Sequence, residues 1–332
     1  MYLIILVVIL IIFTLTHVYN KVLRRCKIDK IYEKSVMVTG CDSGLGLEMA
    51  KHLHELGFIT IATCLNPQSN GYQTLNLLGD RCKVFLMDIT NETQLKKTVS
   101  EVKHFLRQIG INSLYGLVNN AGVMVNAEFD WLTSSQIKSQ IDVNYCGPII
   151  LTKLLLEDII NSQGRLVYVT SLISNVPFPL CTTYCSTKSG LSMFAEGLQA
   201  ELSRFGVKII LLQPGDFTKL TDIVPATLKA SDVMWNSFDE RKKELYGDYF
   251  HKYYANMNSS RGMISFKSYT DSSLFIDIEE ALISINPRPV MVQSFLWYHV
   301  LIKTISYLPR SWRINLSQLI QYVTRRGLIK MD

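Results

Sequence analysis

Tyr184 and Lys188, in the segment Tyr184-Cys185-Ser186-Thr187-Lys188, are the pair in this 332-residue chain best spaced for acid–base chemistry. Around them Leu191, Phe194, Ala195, Leu198 and Leu202 recur at helical spacing, which predicts one helix from about Cys181 to Phe205, ended by Gly206. Four residues apart on a helix, the phenol and the ammonium stand one above the other on the same face. A close positive charge favours the phenolate. Tyr184 is therefore expected below its reference pKa of about 10, as a proton donor and acceptor usable near neutral pH. A surface Tyr and Lys four apart by chance would look the same in these five residues, so the rest of the chain has to decide.

The pair needs a scaffold, and from Ser35 onward strand-like and helix-like stretches alternate. Short apolar runs are predicted as strands at Ser35–Thr39, Phe58–Cys64, Cys82–Met87, Leu114–Val118, Arg165–Thr170 and Val207–Gln213, with a last one at Arg288–Val292. Helix-length segments separate them, among them Glu92 to Ile109. That order means right-handed βαβ units: an α/β fold with a doubly wound, Rossmann-type parallel sheet. Between the first strand and its helix lies Gly40-Cys41-Asp42-Ser43-Gly44-Leu45-Gly46. There Gly40 permits the tight turn, Gly44 lets the backbone approach a pyrophosphate, and Gly46 lets the helix pack close to the strand.

Thr39-Gly40-x-x-x-Gly44-x-Gly46, Asn119-Asn120-Ala121-Gly122, Asn144, Ser171, Tyr184-x-x-x-Lys188 and Pro214-Gly215 stand in the order and spacing of one motif set. Over roughly residues 35–220 the chain resembles the short-chain dehydrogenase/reductase family. The fuller strings VTGCDSGLG, GLVNNAGV and DVNYCGP, the Trp131-Leu132 pair, and Ala281 through Pro289 with Tyr307-Leu308-Pro309 look like its membrane-bound retinol and 17β-hydroxysteroid dehydrogenase branch.

The resemblance implies a nicotinamide cofactor and a hydride exchanged with an alcohol or ketone. In it Tyr184 would be the general acid/base and Lys188 would hold the nicotinamide ribose. Ser171 would hydrogen-bond the reacting oxygen, and Asn144 would link Lys188 to a proton-relay water. Asp88, with Ile89, would contact the adenine. Asn119, Ala121 and Gly122 would line the cofactor floor, and Pro214, Gly215 and Thr218 would cover the nicotinamide. One departure concerns cofactor choice. The family's NAD users often carry an acid after the second strand, whereas this chain has Cys64-Leu65-Asn66. Even so, Asp42 in the glycine turn and the lack of any Arg or Lys between Lys51 and Arg81 favour NAD over NADP, without excluding NADP.

Residues Tyr2 to Tyr19 are nearly unbroken aliphatic sequence without a charge, about the length of a bilayer core. Lys21, Arg24, Arg25, Lys27 and Lys30 follow, which the positive-inside rule keeps cytoplasmic. The expectation is a single-pass anchor in the endoplasmic reticulum membrane with a cytosolic catalytic domain. Its parts are an anchor (1–20), a basic linker (21–34), one Rossmann-fold catalytic domain (35–285), and a last strand with a hydrophobic tail (286–332). The apolar region after Thr218 suits a lipophilic substrate such as a steroid, sterol or retinoid, and the family suggests a homodimer. A catalytically idle, lipid-binding member of the fold is the alternative, which the intact Ser171, Tyr184 and Lys188 oppose. A net charge of +6 without an aromatic-interleaved basic stripe gives nucleic-acid binding no support. Seven cysteines without a CxxC pair and six scattered histidines point to reduced thiols and to no metal site.

Overall fold

Strand β1, Ser35–Thr39, is buried at all five positions, as is Arg165–Val169. A strand with both faces covered has no polar side, so its sequence reads as a continuous apolar run. In a computed structural model describing residues 6, 14, 16, 18–259 and 265–326, seven strands form one parallel sheet. They are β1, β2 (Ile59–Cys64), β3 (Cys82–Leu86), β4 (Gly116–Asn119), β5 (Arg165–Val169), β6 (Lys208–Pro214) and β7 (Val290–Gln293). Their order is β3-β2-β1-β4-β5-β6-β7, so the winding reverses between β1 and β4. Ligands bind at such a switch point, outside the carboxyl ends of the strands.

Helices α1 (Gly44–Glu55), α2 (Asn70–Asn76) and α9 (Leu274–Ile283) cover one face of the sheet, where Leu53, Leu75 and Ile278 join Val36 and Val38 in one core. On the other face lie α3 (Glu92–Gln108), α5 (Gly147–Asn161) and α6 (Thr182–Leu202). There Leu95, Leu155 and Leu191 meet Met37 and Tyr168. Alternate residues of one strand feed the two cores, which is how a period of two serves a double layer. A third cluster forms where α7 (Ile223–Ser237) and α8 (Glu240–Ser259) fold over the loop after β4: Trp131 is buried there against Tyr249, Phe250, Tyr253 and Tyr254. Between β4 and α5 run α4 (Ser134–Ile141) and a single π-helical turn, Asp142–Cys146. Helices α10 (Leu296–Tyr307) and α11 (Arg310–Arg326) end the described chain.

The last strand, expected at Arg288–Val292, is β7, which pairs in parallel with β6, Leu211 opposite Val290 through Pro214 opposite Gln293. The basic linker packs against the domain. Ile28 N–H donates to the Ile283 carbonyl (2.8 Å) and Ile285 N–H to that of Cys26 (2.9 Å), fixing the linker at the end of the sheet where strands begin. Most of the expected span Tyr2–Tyr19 lies outside the described residues. Among the described residues no helix is long and apolar enough to cross a membrane.

Candidate active site

The glycine turn sits at the end of β1 and its geometry requires glycine at three places. Gly40 (φ 70°) and Gly44 (φ 62°) are in the left-handed region that side chains avoid. A Cβ at Gly46 would lie 2.2 Å from the Gly40 carbonyl oxygen. Asn120 donates its side-chain amide to the Thr39 and Gly40 carbonyls (2.8 and 3.2 Å), while Thr39 Oγ1 accepts from the Asn120 and Ala121 amides (3.0 Å each). The turn is thus clamped to the end of β4. Helix α1 starts at Gly44 without a side-chain cap, since Ser43 donates instead to Asp222 (2.6 Å). Uncapped amides at the head of α1, glycines at the positions where the backbone must come close, and partly buried Leu45 fit a dinucleotide pyrophosphate. The bound dinucleotide would supply the hydride.

Asp42 has a role that its position in the turn did not disclose. Its carboxylate accepts from Leu65 N–H (3.0 and 2.9 Å) and Asn66 N–H (2.9 Å). An acid therefore does stand at the end of β2, supplied by the neighbouring strand's turn. Asp88, beyond β3, accepts from the Thr90 amide and hydroxyl (2.9 and 2.7 Å), and Ile89 beside it is buried against Gly147.

Asn119 lies differently from the expected floor position. Its side chain is turned under the sheet end, 1% exposed, donating to Thr152 (3.2 Å). The backbone of Ala121 and Gly122 would make the cofactor floor instead. Gly122 lies against the lysine, for a Cβ there would be 3.3 Å from Lys188 Nζ and 3.4 Å from Asn144 Oδ1.

Asn144 sits on the π-helical turn, whose extra residue re-aims it into the interior. It accepts from Val123 N–H and donates to the Val123 carbonyl (2.8 Å each), and it donates to Thr187 (3.2 Å). Asn144 thereby holds the Val123 backbone beside Gly122 and Lys188. At the end of β6, Pro214 pairs with Gln293 and Gly215 N–H donates to the Gln293 carbonyl (2.8 Å). The Thr218 hydroxyl is held by Asp216 (2.6 Å).

Ser171, Tyr184 and Lys188 converge where β5 ends. Lys188 is 3% exposed and donates to the Val169 carbonyl (2.9 Å), with Nζ 5.9 Å from the centre of the Tyr184 ring. The expected depression of the phenol is not found. Burial pushes the Tyr184 phenol up, with the Ser171 hydroxyl pulling it part of the way back, and burial lowers Lys188 to about 8. Desolvation outweighs attraction because the ammonium is turned to a backbone carbonyl rather than to the phenol oxygen. The arrangement could still serve general acid/base chemistry: a phenol that could move a proton, a hydroxyl beside it that could bind the same oxygen, and a cation below.

Three contributors went unassigned in the sequence. Thr39 and Asn120 clamp the turn; their signal was two polar residues at the ends of neighbouring strands. Leu180, just before α6, takes a left-handed φ of 64°, unusual for a bulky side chain, while its carbonyl accepts from Ala127 N–H (2.8 Å). It ties the loop after β4 to the start of the catalytic helix, and nothing local in the sequence marks it.

Comparison with known proteins gives the same reading. The family model for short chain dehydrogenases matches residues 34–231. The D-beta-hydroxybutyrate dehydrogenase, mitochondrial, of Rattus norvegicus is 32% identical over 237 residues, 70% of this chain and 69% of its own. Estradiol 17-beta-dehydrogenase 2 of Rattus norvegicus is 32% identical over 80% of this chain and 70% of its own. Retinol dehydrogenase 16 of Homo sapiens is also 32% identical, over 82% of this chain and 84% of its own. The resemblance to the retinol and 17β-hydroxysteroid branch holds, with a hydroxybutyrate branch equally near. The motif-bearing residues gather at one end of a doubly wound sheet, and the chain belongs to the short chain dehydrogenases, NAD(P)-dependent oxidoreductases that act on alcohol groups.

Proposed function

We propose that the enzyme interconverts a hydroxyl and a carbonyl on a lipophilic substrate of steroid, sterol or retinoid size, using NAD(H), at a membrane surface. The observation that carries this reading is the aromatic and aliphatic packing of α7, α8 and α10 beside the strand ends. Tyr253 on α8 and Tyr298 on α10 both lie near Cys181 at the start of the catalytic helix, and Trp131 and its aromatic neighbours back them. The names of the similar proteins divide between lipids and a short hydroxy acid, so the site has to carry the argument.

Membrane contact is supported by α10 and α11. Leu296, Trp297, Tyr307 and Trp312 are more than half exposed, with Lys303 and Arg310 among them, the make-up of helices that lie in a lipid interface. These helices follow the strand-end side of the sheet, where the site is. The linker enters at the other end, so substrate entry from a bilayer rests on α10 and α11 and not on the tether. An anchor at residues 1–20 in the endoplasmic reticulum membrane, and a homodimer, remain parts of the proposal that the family resemblance supports.

NAD over NADP is supported by Asp42. Its carboxylate is fixed at the end of β2, where a 2′-phosphate would meet negative charge, and residues 52–80 contain no Lys or Arg.

One experiment tests the three parts together. Purified enzyme on anionic phospholipid vesicles is assayed with a series of alcohols of growing apolar area, with retinol and a hydroxysteroid, and with 3-hydroxybutyrate, each with NAD and with NADP. At about 25 cal/mol per Å² of apolar area, kcat/KM rises about tenfold for each additional ~55 Å² buried. The enzyme floats with the vesicles, and NAD is preferred. Efficient turnover of 3-hydroxybutyrate with inert lipids would refute the substrate class; enzyme left in the soluble fraction refutes the surface, and tighter use of NADP refutes the role of Asp42.

A further inference from the structure

We propose that the cavity between α6 and α11 is a second ligand site, separate from the catalytic cleft, for a carboxylate-headed aliphatic molecule, a fatty-acid-type anion whose head pairs with Arg313. The cavity measures about 470 Å³, within the ~300–1,000 Å³ of small-molecule sites. Its floor is Thr182, Cys185, Ser186 and Ser189, spaced as one stripe of α6. Tyr184 and Lys188 occupy a different stripe, turned by roughly 120° at 3.6 residues per turn. The cavity therefore backs onto the catalytic helix without opening on its catalytic face. Val176, Pro177, Phe178 and Pro179 form an apolar wall, and α11 contributes Arg313 and Ser317.

The polar inventory of the cavity defines the ligand. Arg313 Nε is buried with no hydrogen-bond acceptor, and no carboxylate lines the cavity. A guanidinium donor shut away from water without an acceptor is costly, and the surrounding groups do not relieve it. Ser186, Ser189 and Ser317 are already spent as donors, to the carbonyls of Thr183, Ser174 and Pro177. What is missing is an anion. The planar fork of Arg313 matches the two oxygens of a carboxylate, whereas a phosphorylated head would call for further cations, and no lysine or second arginine lines the cavity. The Val176–Pro179 wall and the Cys185 side chain then suit an aliphatic tail. Such a ligand would join α11 to the outer face of the helix that carries Tyr184.

The test uses the full chain with NADH bound, and decanoate and its neutral methyl ester as probes, titrated by calorimetry. Decanoate is expected to bind saturably at one site. Arg313→Gln should weaken it about tenfold or more and leave the ester unchanged. Thr182→Trp, at the exposed first position of α6, should remove both by filling the cavity, with NADH affinity the same in all three proteins. Decanoate should slow hydrogen exchange in 174–189 and 310–320. No saturable binding, binding indifferent to both variants, or displacement of decanoate by a turnover substrate overturns the proposal. These readouts are of binding, so they stand or fall independently of which alcohol the enzyme oxidises.

Discussion

Replacing Tyr184 by Phe lowers kcat for both directions by about 10²- to 10⁴-fold, the usual cost of losing a positioned acid/base, while NADH affinity stays near wild type. The ring is kept, so packing beside Cys181 and Cys185 is kept, and only the proton carrier is lost. Lys188→Met should cost as much and also weaken the cofactor, because a floor residue, Gly122, is seated against Nζ. The pH dependence follows from the buried state of the pair. Alcohol oxidation needs the phenolate to accept a proton, and burial holds the Tyr184 phenol up. Oxidation therefore rises with pH into the alkaline range and carbonyl reduction falls. Stopped-flow hydride transfer across pH 6 to 10, roughly the span between the reference pKa values of His and Tyr, is the measurement. A Tyr184→Phe enzyme that is folded and turns over at the wild-type rate would show that another group moves the proton.

Gly46→Ala is expected to abolish dinucleotide binding at accessible concentrations and to cost about 1–3 kcal/mol or more of stability. The new Cβ would stand 2.2 Å from the Gly40 carbonyl oxygen and 2.5 Å from Asn120 Nδ2. Both are parts of the clamp, so neither yields without moving the turn, and overpacking at a rigid contact costs in this range. Helix α1 must then lift away from β1, carrying its N-terminal amides with it. Gly57, also glycine at a helix end, has nothing within 4 Å of an added Cβ. Because its φ of 95° strains any side chain, Gly57→Asn, a residue that tolerates that region, is the control and should keep NADH binding. NADH fluorescence titration with thermal melting checks both; tight NADH binding by Gly46→Ala would show that the turn is not the pyrophosphate seat.

These two expectations draw on residues that the sequence made legible, and the reason is physical. The inner strands β1, β2, β4, β5 and β6 are apolar runs closed by turn residues, because burial on both faces leaves little other choice, and the bounds of all seven agree with expectation to within about two residues. Gly40, Gly44 and Gly46 were legible because their conformations or contacts exclude side chains. Features that depend on two distant segments meeting were not. Asp42 reaches across to the amides after β2, a pairing that only the parallel register of β1 and β2 creates. The protonation of Tyr184 was misjudged for a similar reason. Spacing on a helix gives the nearness of Lys188, but the desolvation that outweighs it comes from the packing of the folded chain around the site, which local sequence does not report.

The bond from Ser43 to Asp222, with Thr221 seated 3.3 Å from where a Cβ on Gly44 would be, lays the segment after β6 across the head of α1. A dinucleotide reaches those amides only after this bridge parts, and its phosphates repel the Asp222 carboxylate once there. The cofactor therefore binds against a negative charge and an exposed hydrogen bond, and Asp222→Asn, which removes that charge, should tighten NADH in a fluorescence titration.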